Sequence, residues 1–132
     1  MNAQEAREIA TLLNRRNQLT VAHTETSVLA HAGNYASKVL DGRVAAAVEV
    51  KSVQWYQAEL RHLTVHEEHE GKGLARELAA LAEQRARDLG ARVIQCTIRE
   101  GNSDSERLFR AAGYCRTLTF YNSDSGNYVA VW

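Results

Sequence analysis

Apolar residues recur at helical spacing in several parts of the chain, and strand-like patterns fill the stretches between them. Residues 2–16 place their apolar side chains on one face, which predicts an amphipathic helix. Asn2 and Glu5 suit its start, because both side chains can satisfy free backbone N–H groups there. A second, shorter helix is predicted over residues 24–32, with Thr24 as its cap and Gly33 as its stop.

The next part of the chain predicts a run of three strands. Residues 35–40 and 43–51 flank Asp41-Gly42, which is a hairpin signal because glycine tolerates positive φ in a type I′ turn. A third strand is predicted over residues 54–66. The sheet therefore begins as an antiparallel one.

From Gly71 onward the pattern changes from strand to helix. Apolar residues recur at helical spacing as far as Gly90, and a buried strand over residues 92–98 follows. A strand, a helix and a strand of this length form a βαβ unit, so its two strands are expected to be parallel. Ser103 and Glu106 form a capping-box pattern before a short helix. Residues 114–121 and 128–132 predict a final hairpin. The predicted fold is α/β: one domain over residues 1–132, whose mixed sheet has one parallel crossover.

Composition and charge narrow the classes of function. The 132 residues suffice for one domain with one core. Sixteen basic residues balance sixteen acidic ones, which argues against a protein that coats nucleic acid. The apolar runs are too short to span a membrane and no secretory signal is visible, so a cytoplasmic location is expected. Cys96 and Cys115 are expected to be buried free thiols and not nucleophiles.

The predicted corner between the third strand and the long helix carries the most information. Gly71 and Gly73 flank Lys72 there, and small residues let another molecule approach the backbone closely. The unpaired N–H groups of the first helical turn point outward, and the helix dipole favours negative charge. Together with Lys72 and Arg76 they predict a phosphate-binding site. The alternative is a plain glycine-containing corner.

Two common nucleotide-binding motifs do not fit this corner. A P-loop would have Ser or Thr where Leu74 stands. The dinucleotide fingerprint would have a third glycine where Arg76 stands. His66 and His69 do not form a His-Glu-x-x-His pattern either, so no metal is expected.

Two motifs, taken together, point to a family. After Val65 the corner reads Glu70-Gly71-Lys72-Gly73-Leu74-Ala75. After the next strand, Asn102 precedes a short helix that contains Leu108-Phe109 and is followed by Gly113-Tyr114. In this order they resemble the motifs of the GNAT superfamily of acyl-CoA-dependent N-acyltransferases. The order of the predicted elements is similar to that family's from about residue 3 to residue 132.

The resemblance implies a GNAT-like fold whose two parallel central strands splay apart and admit the pantetheine arm of acetyl-CoA, the co-substrate. The third strand would pair with the arm, the corner would hold the pyrophosphate, and Asn102 would contact the arm or its end. The cofactor-binding residues that it implies are Leu63, Val65, Gly71, Lys72, Gly73, Leu74, Ala75, Arg76, Asn102 and Phe109.

The resemblance also implies an N-acetyltransferase in which a primary amine attacks acetyl-CoA directly in a ternary complex. This chemistry needs a base and a donor for the developing oxyanion. The expected base is Glu59, which lies six residues before Val65, where several family members keep a catalytic glutamate. The expected oxyanion donor is the N–H group of Leu63.

The alternation of side chains along a strand predicts which face of the sheet these residues occupy. It predicts that Glu59, Arg61, Leu63 and Val65 share one face of the sheet. Other possibilities for Glu59 are pairing with Arg61 or with an arginine across the strands, or exposure to solvent. The reserve proton carriers would be His62 and His66, on the opposite parity.

The sequence departs from the family pattern in three respects. Glu70 stands where the family usually has Gln or Arg, and an acid there opposes phosphate binding unless it points to solvent. Phe109 stands where many members have a tyrosine that protonates the leaving thiolate. Because the chain begins with a helix, the family's usual first strand is expected to be missing or displaced.

Rival functions stay open at this point. Phe109 and Glu70 favour an acyl-CoA-binding sensor or regulatory module without turnover, and a third possibility is a nucleotide-phosphate binder unrelated to CoA. The acceptor would be a small-molecule or protein amine that the sequence does not identify. Neither nucleic acid nor membrane is an expected partner, and the oligomeric state, a homodimer included, stays open.

Overall fold

The structure, a computed structural model, describes residues 1–17, 21–123 and 126–132. Its helices are α1 (Ala3–Arg16), α2 (Glu25–Ala30), α3 (Leu74–Asp88) and α4 (Ser103–Ala111). Its strands are β1 (Tyr35–Leu40), β2 (Arg43–Gln54), β3 (Gln57–Val65), β4 (Val93–Arg99), β5 (Leu118–Asn122) and β6 (Asn127–Val131). Two short 3-10 turns cover Ala32–Asn34 and Glu67–His69. The first element is helix α1, and the order of elements is the predicted one.

The strands form one six-stranded mixed sheet in the order β1-β2-β3-β4-β6-β5. The pair β3 and β4, joined by α3, is parallel, and the other neighbouring pairs are antiparallel. This confirms the predicted fold class, including the single parallel crossover.

Helices cover both faces of the sheet. On one face α1 and α2 bury Ile9, Leu13 and Val28 against the sheet. On the other face α3 buries Leu78, and Phe109 of α4 joins the same cluster. Each such apolar side chain contributes about 1.5–3 kcal/mol on burial. No helix in the described parts of the chain is long and apolar enough to cross a membrane.

Several predicted boundaries differ from the observed ones. Thr24 caps α2 as predicted, but the helix ends at Ala30 because His31 leaves the helical conformation and a 3-10 turn follows. Strand β2 continues to Gln54, so β3 begins later than predicted.

The predicted cap of α4 is wrong by one residue. Ser103 is already helical, and the cap is Asn102, whose side-chain oxygen accepts from the Ser105 N–H group at 3.3 Å. Asparagine is as good a cap as serine, so the spacing alone could not separate the two.

The parallel strands separate after a short paired segment. Pairing runs from Gln57 and Val93 to Leu60 and Cys96. Beyond Cys96, the other edge of β4 pairs with β6 through residues 97–99. The second half of β3 therefore has an open edge facing the diverging end of β4, as the predicted splay requires.

A bulge at His62 changes which way the side chains of β3 point. His62 has a φ of 57°, and the pairing of β2 with β3 shifts register between Ala47 and Glu49. An extra residue in one strand reverses the alternation of side chains beyond it.

The reversal separates side chains that were predicted to share a face. Leu63 and Val65 pack against the core on the α3 side, together with Leu60. Glu59 and Arg61, which alternate with Leu60, belong to the other face. The prediction that all four share one face is wrong, because regular alternation does not anticipate a bulge.

Candidate functional site

The open edge of β3 presents backbone groups to the cleft between the diverging strands. The His66 N–H group donates to the Ala45 carbonyl of β2 at 2.7 Å. Since backbone groups alternate between the two edges of a strand, those of Val65 and Leu63 point to the opposite, open edge. The side chain of Arg16 confirms this direction, because its Nη1 donates to the Val65 carbonyl at 2.9 Å.

Two adjoining cavities follow this open edge. The strand cavity, about 680 Å³ in volume, lies between β3 and β4. The helix cavity, about 780 Å³, lies between the end of β3, the start of α3 and α4. Both are lined by Arg16, Asn17, Leu63, Asn102, Ser105 and Leu108. The open edge of β3 thus runs from one cavity into the other.

The glycine corner forms one end of the helix cavity. Gly71 and Gly73 have φ values of 79° and 78°, in the left-handed region where glycine is least strained. Gly73 caps α3 without any side-chain hydrogen bond, and no side chain in the described part of the chain accepts from the first N–H groups of the helix. Together with the helix dipole, this arrangement favours an anion.

The other predicted corner residues take different positions. Ala75 and Arg76 line the helix cavity with the two glycines. Leu74 is buried in the core, so only its backbone can face a ligand. Lys72 is exposed, its Nζ lies 3.0 Å from Nδ1 of His69, and it is not among the residues that line the cavity.

Glu70, the unusual acid of the corner, has a cationic partner. Its carboxylate lies 2.7 Å from Nη1 of Arg16, which is the same group that bonds to Val65. The side chain of Glu70 is 57% exposed, and it lines the rim of the helix cavity. Solvent and Arg16 therefore both weaken the repulsion between Glu70 and a bound phosphate that the sequence predicts.

The predicted catalytic residues lie along the strand cavity. Both Glu59 and Leu63 line it. The Glu59 carboxylate is 3.4 Å from Nε of Arg61, and its side chain is only 16% exposed. Of the alternatives for Glu59, pairing with Arg61 is therefore observed and free exposure is not.

Asn102 and Phe109 border the same space. Besides capping α4, Asn102 lines both cavities. Phe109 lines the strand cavity with an apolar ring, and it packs edge-to-face on Tyr114 at 5.0 Å between ring centroids. The position thus offers no hydroxyl group to a leaving thiolate.

The two reserve histidines lie in different surroundings. His62 lines the strand cavity, and burial, followed by the nearby His23 and Arg61, lowers the pKa of its ring to about 4. Its ring is therefore neutral at neutral pH. His66 accepts the Glu68 N–H group at 3.1 Å and does not line either cavity.

Sequence reasoning missed the support for the bulge. The buried Thr64 hydroxyl donates to the His62 carbonyl at 2.7 Å, and Asn17 Nδ2 donates to the same hydroxyl at 2.8 Å. Asn17 also donates to the Leu13 carbonyl of α1 at 2.8 Å. The end of α1 thus holds the bulge through a chain of hydrogen bonds that no local pattern signals.

The prediction for the cysteines has a mixed outcome. Both cysteines are free, as predicted. Cys96 is buried, but Cys115 is exposed because β5 begins only at Leu118, so its predicted burial is wrong. Trp132 is buried in the core, whereas Tyr121 and Tyr128 are exposed and pack against each other across the hairpin.

A mixed sheet with a splayed parallel pair, followed by a glycine corner and a helix without a side-chain cap, defines an acetyltransferase-type fold. The model of the acetyltransferase (GNAT) family matches residues 4–114. The chain belongs to this family. No curated protein matches the chain in sequence.

Solved structures share the fold over the whole chain at low identity. Ard1 from Thermoplasma volcanium is 17% identical, with a TM-score of 0.80 over 100% of this chain and 92% of its own. The Salmonella typhimurium yncA structure, which contains its cofactor acetyl-CoA, is 20% identical. Its TM-score is 0.82, and the match covers 99% of this chain and 88% of the yncA chain. The ribosomal-protein-alanine N-acetyltransferase from Brucella melitensis is 16% identical. Its TM-score is 0.80, and the match covers 99% of this chain and 94% of the Brucella chain.

Proposed function

We propose that residues 1–132 form one N-acetyltransferase domain, which moves an acetyl group from acetyl-CoA to a primary amine by direct attack in a ternary complex. The observation that carries the proposal is the open edge of β3, which runs between the two cavities. The acetyl-CoA-containing structure of a protein with the same fold supports the choice of co-substrate.

In this proposal the helix cavity takes the phosphate end of acetyl-CoA. The pyrophosphate lies on the N–H groups of residues 71–76, which include the backbones of Lys72, Leu74 and Ala75. The charge of Arg76 adds to their attraction for the phosphates. Leu63 and Val65 pair with the amides of the pantetheine arm, and Asn102 contacts the arm where the cavities meet.

The strand cavity takes the amine acceptor. Glu59 accepts a proton from the ammonium group, and the free amine attacks the thioester carbonyl. The Leu63 N–H group donates to the oxyanion that develops on the carbonyl oxygen. When the intermediate collapses, the C–S bond breaks and the thiolate of CoA leaves. The new amide nitrogen releases its second proton to water, and the thiolate takes a proton from water because Phe109 cannot supply one.

A second function stays a candidate: an acyl-CoA-binding sensor or regulatory module without turnover. The apolar Phe109 and the pairing of Glu59 with Arg61 favour it. Release of free CoA thiol from acetyl-CoA, measured with a panel of amines that includes amino acids, polyamines and peptides, separates the two. Tight binding of CoA without thiol release for any amine would support the sensor.

The role of Glu59 is tested by Glu59→Gln, which keeps the shape of the side chain and removes its basicity. We expect kcat to fall about 100-fold, in the range typical of a lost general base, with little change in the KM for acetyl-CoA. Glu100→Gln is the matched control, because Glu100 is also ion-paired, with Arg116, but lines neither cavity. A Glu59→Gln enzyme as fast as the parent would remove Glu59 from the mechanism.

Binding of CoA can be tested without turnover by thermal unfolding. A ligand that binds only the folded state raises the melting temperature, and the rise grows with the logarithm of the ligand concentration above its Kd. CoA and acetyl-CoA are expected to stabilise the protein, and ATP much less. Stabilisation by ATP but not by CoA would instead support a nucleotide-phosphate binder.

A further inference from the structure

Three side chains from separate parts of the fold converge on the sheet face covered by α1 and α2. They are His23 from the connection between these helices, Glu49 from β2 and His62 from the bulge of β3. One nitrogen of each imidazole and one oxygen of the carboxylate lie within 4.8 Å of one another. The proposed acetyl transfer uses none of these three side chains.

Among the described residues, the partly buried carboxylate of Glu49 has no hydrogen-bond partner. Its side chain is 15% exposed, and its nearest basic group is Nε2 of His23, at 4.0 Å. That distance is too long for a hydrogen bond. A largely buried carboxylate that carries no hydrogen bond can take a cation as its partner.

The two imidazoles have the character of metal ligands. Nδ1 of His23 lies 3.0 Å from the Tyr35 hydroxyl, which leaves Nε2 directed toward Glu49. Metal-binding histidines usually have such a partner on the other ring nitrogen, since it fixes the ring and its tautomer. The ring of His62 lies 5.7 Å from that of His23, nearly perpendicular to it.

We propose that His23, Glu49 and His62 bind one divalent transition-metal ion of the zinc class. Two imidazoles and one carboxylate are a common ligand set for such ions, which sit about 2.0–2.2 Å from each ligand atom. The three atoms must move inward by roughly 1 Å to meet that distance. His62 lines the strand cavity, so the proposed site borders a cavity through which an ion could enter.

The proposed site is not the one at which the sequence analysis expected no metal. That one concerned His66 and His69, whose rings lie on the surface 5.9 Å apart. The bulge and the fold bring His23 and His62 together, so no spacing in the sequence reveals the pair. The proposal also does not depend on acetyl transfer, because metal binding has its own readout.

The test is calorimetric titration of Zn²⁺ into the untagged chain after treatment with a chelator, together with the visible spectrum of the Co²⁺ form. We expect one ion per chain and d–d bands of four- or five-coordinate Co²⁺. Glu49→Gln, His23→Gln and His62→Asn are each expected to weaken Zn²⁺ binding at least about 10-fold. Asparagine is used at His62 because it tolerates the left-handed backbone there.

The matched control is the double variant His66→Gln/His69→Gln, which removes the surface pair and is expected to bind Zn²⁺ like the parent. Circular dichroism and the melting temperature check that each variant is folded, and the three single variants test the site independently. Absence of Zn²⁺ binding by the parent would overturn the proposal. So would binding that survives Glu49→Gln and His23→Gln, or that is lost in the double variant.

Discussion

Glu70 is an acid where the family motif usually has Gln or Arg, and Arg16 partly neutralises its charge. An acid beside a phosphate site is unfavourable, yet Arg16 reaches from the end of α1 to within 2.7 Å of it. The same guanidinium also binds the Val65 carbonyl, so it holds the corner against the open edge of β3. An exposed pair of this kind is worth only about 0.2–1 kcal/mol, which leaves a residual repulsion of phosphate.

That residual repulsion predicts tighter CoA binding by Glu70→Gln. We expect the Kd for CoA to fall about two- to five-fold at low salt, and the gain to shrink in high salt because the charges are screened. Isothermal titration calorimetry at two ionic strengths measures both effects. Glu68→Gln removes an exposed acid from the adjacent turn and is expected to change the Kd less. Equal effects of the two variants would point to net charge instead of the position of Glu70.

The two cysteines are predicted to differ sharply in reactivity. Burial, and then the charge of Glu59, raise the pKa of the Cys96 thiol to about 12, whereas Cys115 is exposed. Since the thiolate is the reactive form, Ellman's reagent at pH 8 should modify Cys115 rapidly and Cys96 only after unfolding in guanidinium. Cys115→Ser should abolish the fast phase, and Cys96→Ser should keep it. Rapid reaction of Cys96 in the native protein would contradict its burial.

At the scale of elements, the bulge of β3 is the feature on which the proposed site depends. A left-handed conformation at a residue with a side chain costs roughly 1–2 kcal/mol, so it needs outside support. The Thr64 hydroxyl supplies this support by bonding to the His62 carbonyl, and Asn17 links it to α1. The bulge precedes Leu63, whose N–H group it helps to aim at the cleft.

Thr64→Val is therefore expected to impair catalysis as well as stability. Valine keeps the branched shape but leaves the buried His62 carbonyl and Asn17 amide without their partner, at a cost of about 1–3 kcal/mol. Urea denaturation measures that loss. If the bulge relaxes, kcat for acetyl transfer should fall at least about 10-fold, since removal of an oxyanion donor costs more than that.

Thr117→Val is the control for this substitution. The Thr117 hydroxyl also donates to a carbonyl, that of Val131 at 3.0 Å, but at an exposed position in the terminal hairpin. A smaller loss of stability and an unchanged kcat are expected there. If Thr64→Val has no greater effect than Thr117→Val, the hydroxyl does not hold the bulge.

At the scale of the whole molecule, the elements and the glycine corner could be predicted because their signals are local. The apolar period of α3, the Asp41-Gly42 turn and the two left-handed glycines each depend on a few neighbouring residues. The contacts of Arg16 with Glu70 and of His23 with Glu49 could not be predicted, since they join distant parts of the chain. The His62 bulge, too, has no local signature and is stabilised through Asn17, the residue that follows α1.

Because β3 and β4 diverge, CoA is expected to change the pattern of amide hydrogen exchange across the molecule. In the ligand-free protein the N–H groups of Leu63 and Val65 face the cleft without a strand partner, whereas residues 57–60 lie in the segment paired with β4. CoA at about ten times its Kd should slow exchange at Leu63 and Val65 about 10-fold, and also at residues 71–76. Residue-resolved NMR exchange measures this, with the distant β1 as an internal reference. If CoA slows amide exchange equally in β1 and β3, the effect is general stabilisation of the fold. If exchange at Leu63 and Val65 stays fast with CoA bound, the open edge of β3 does not hold CoA.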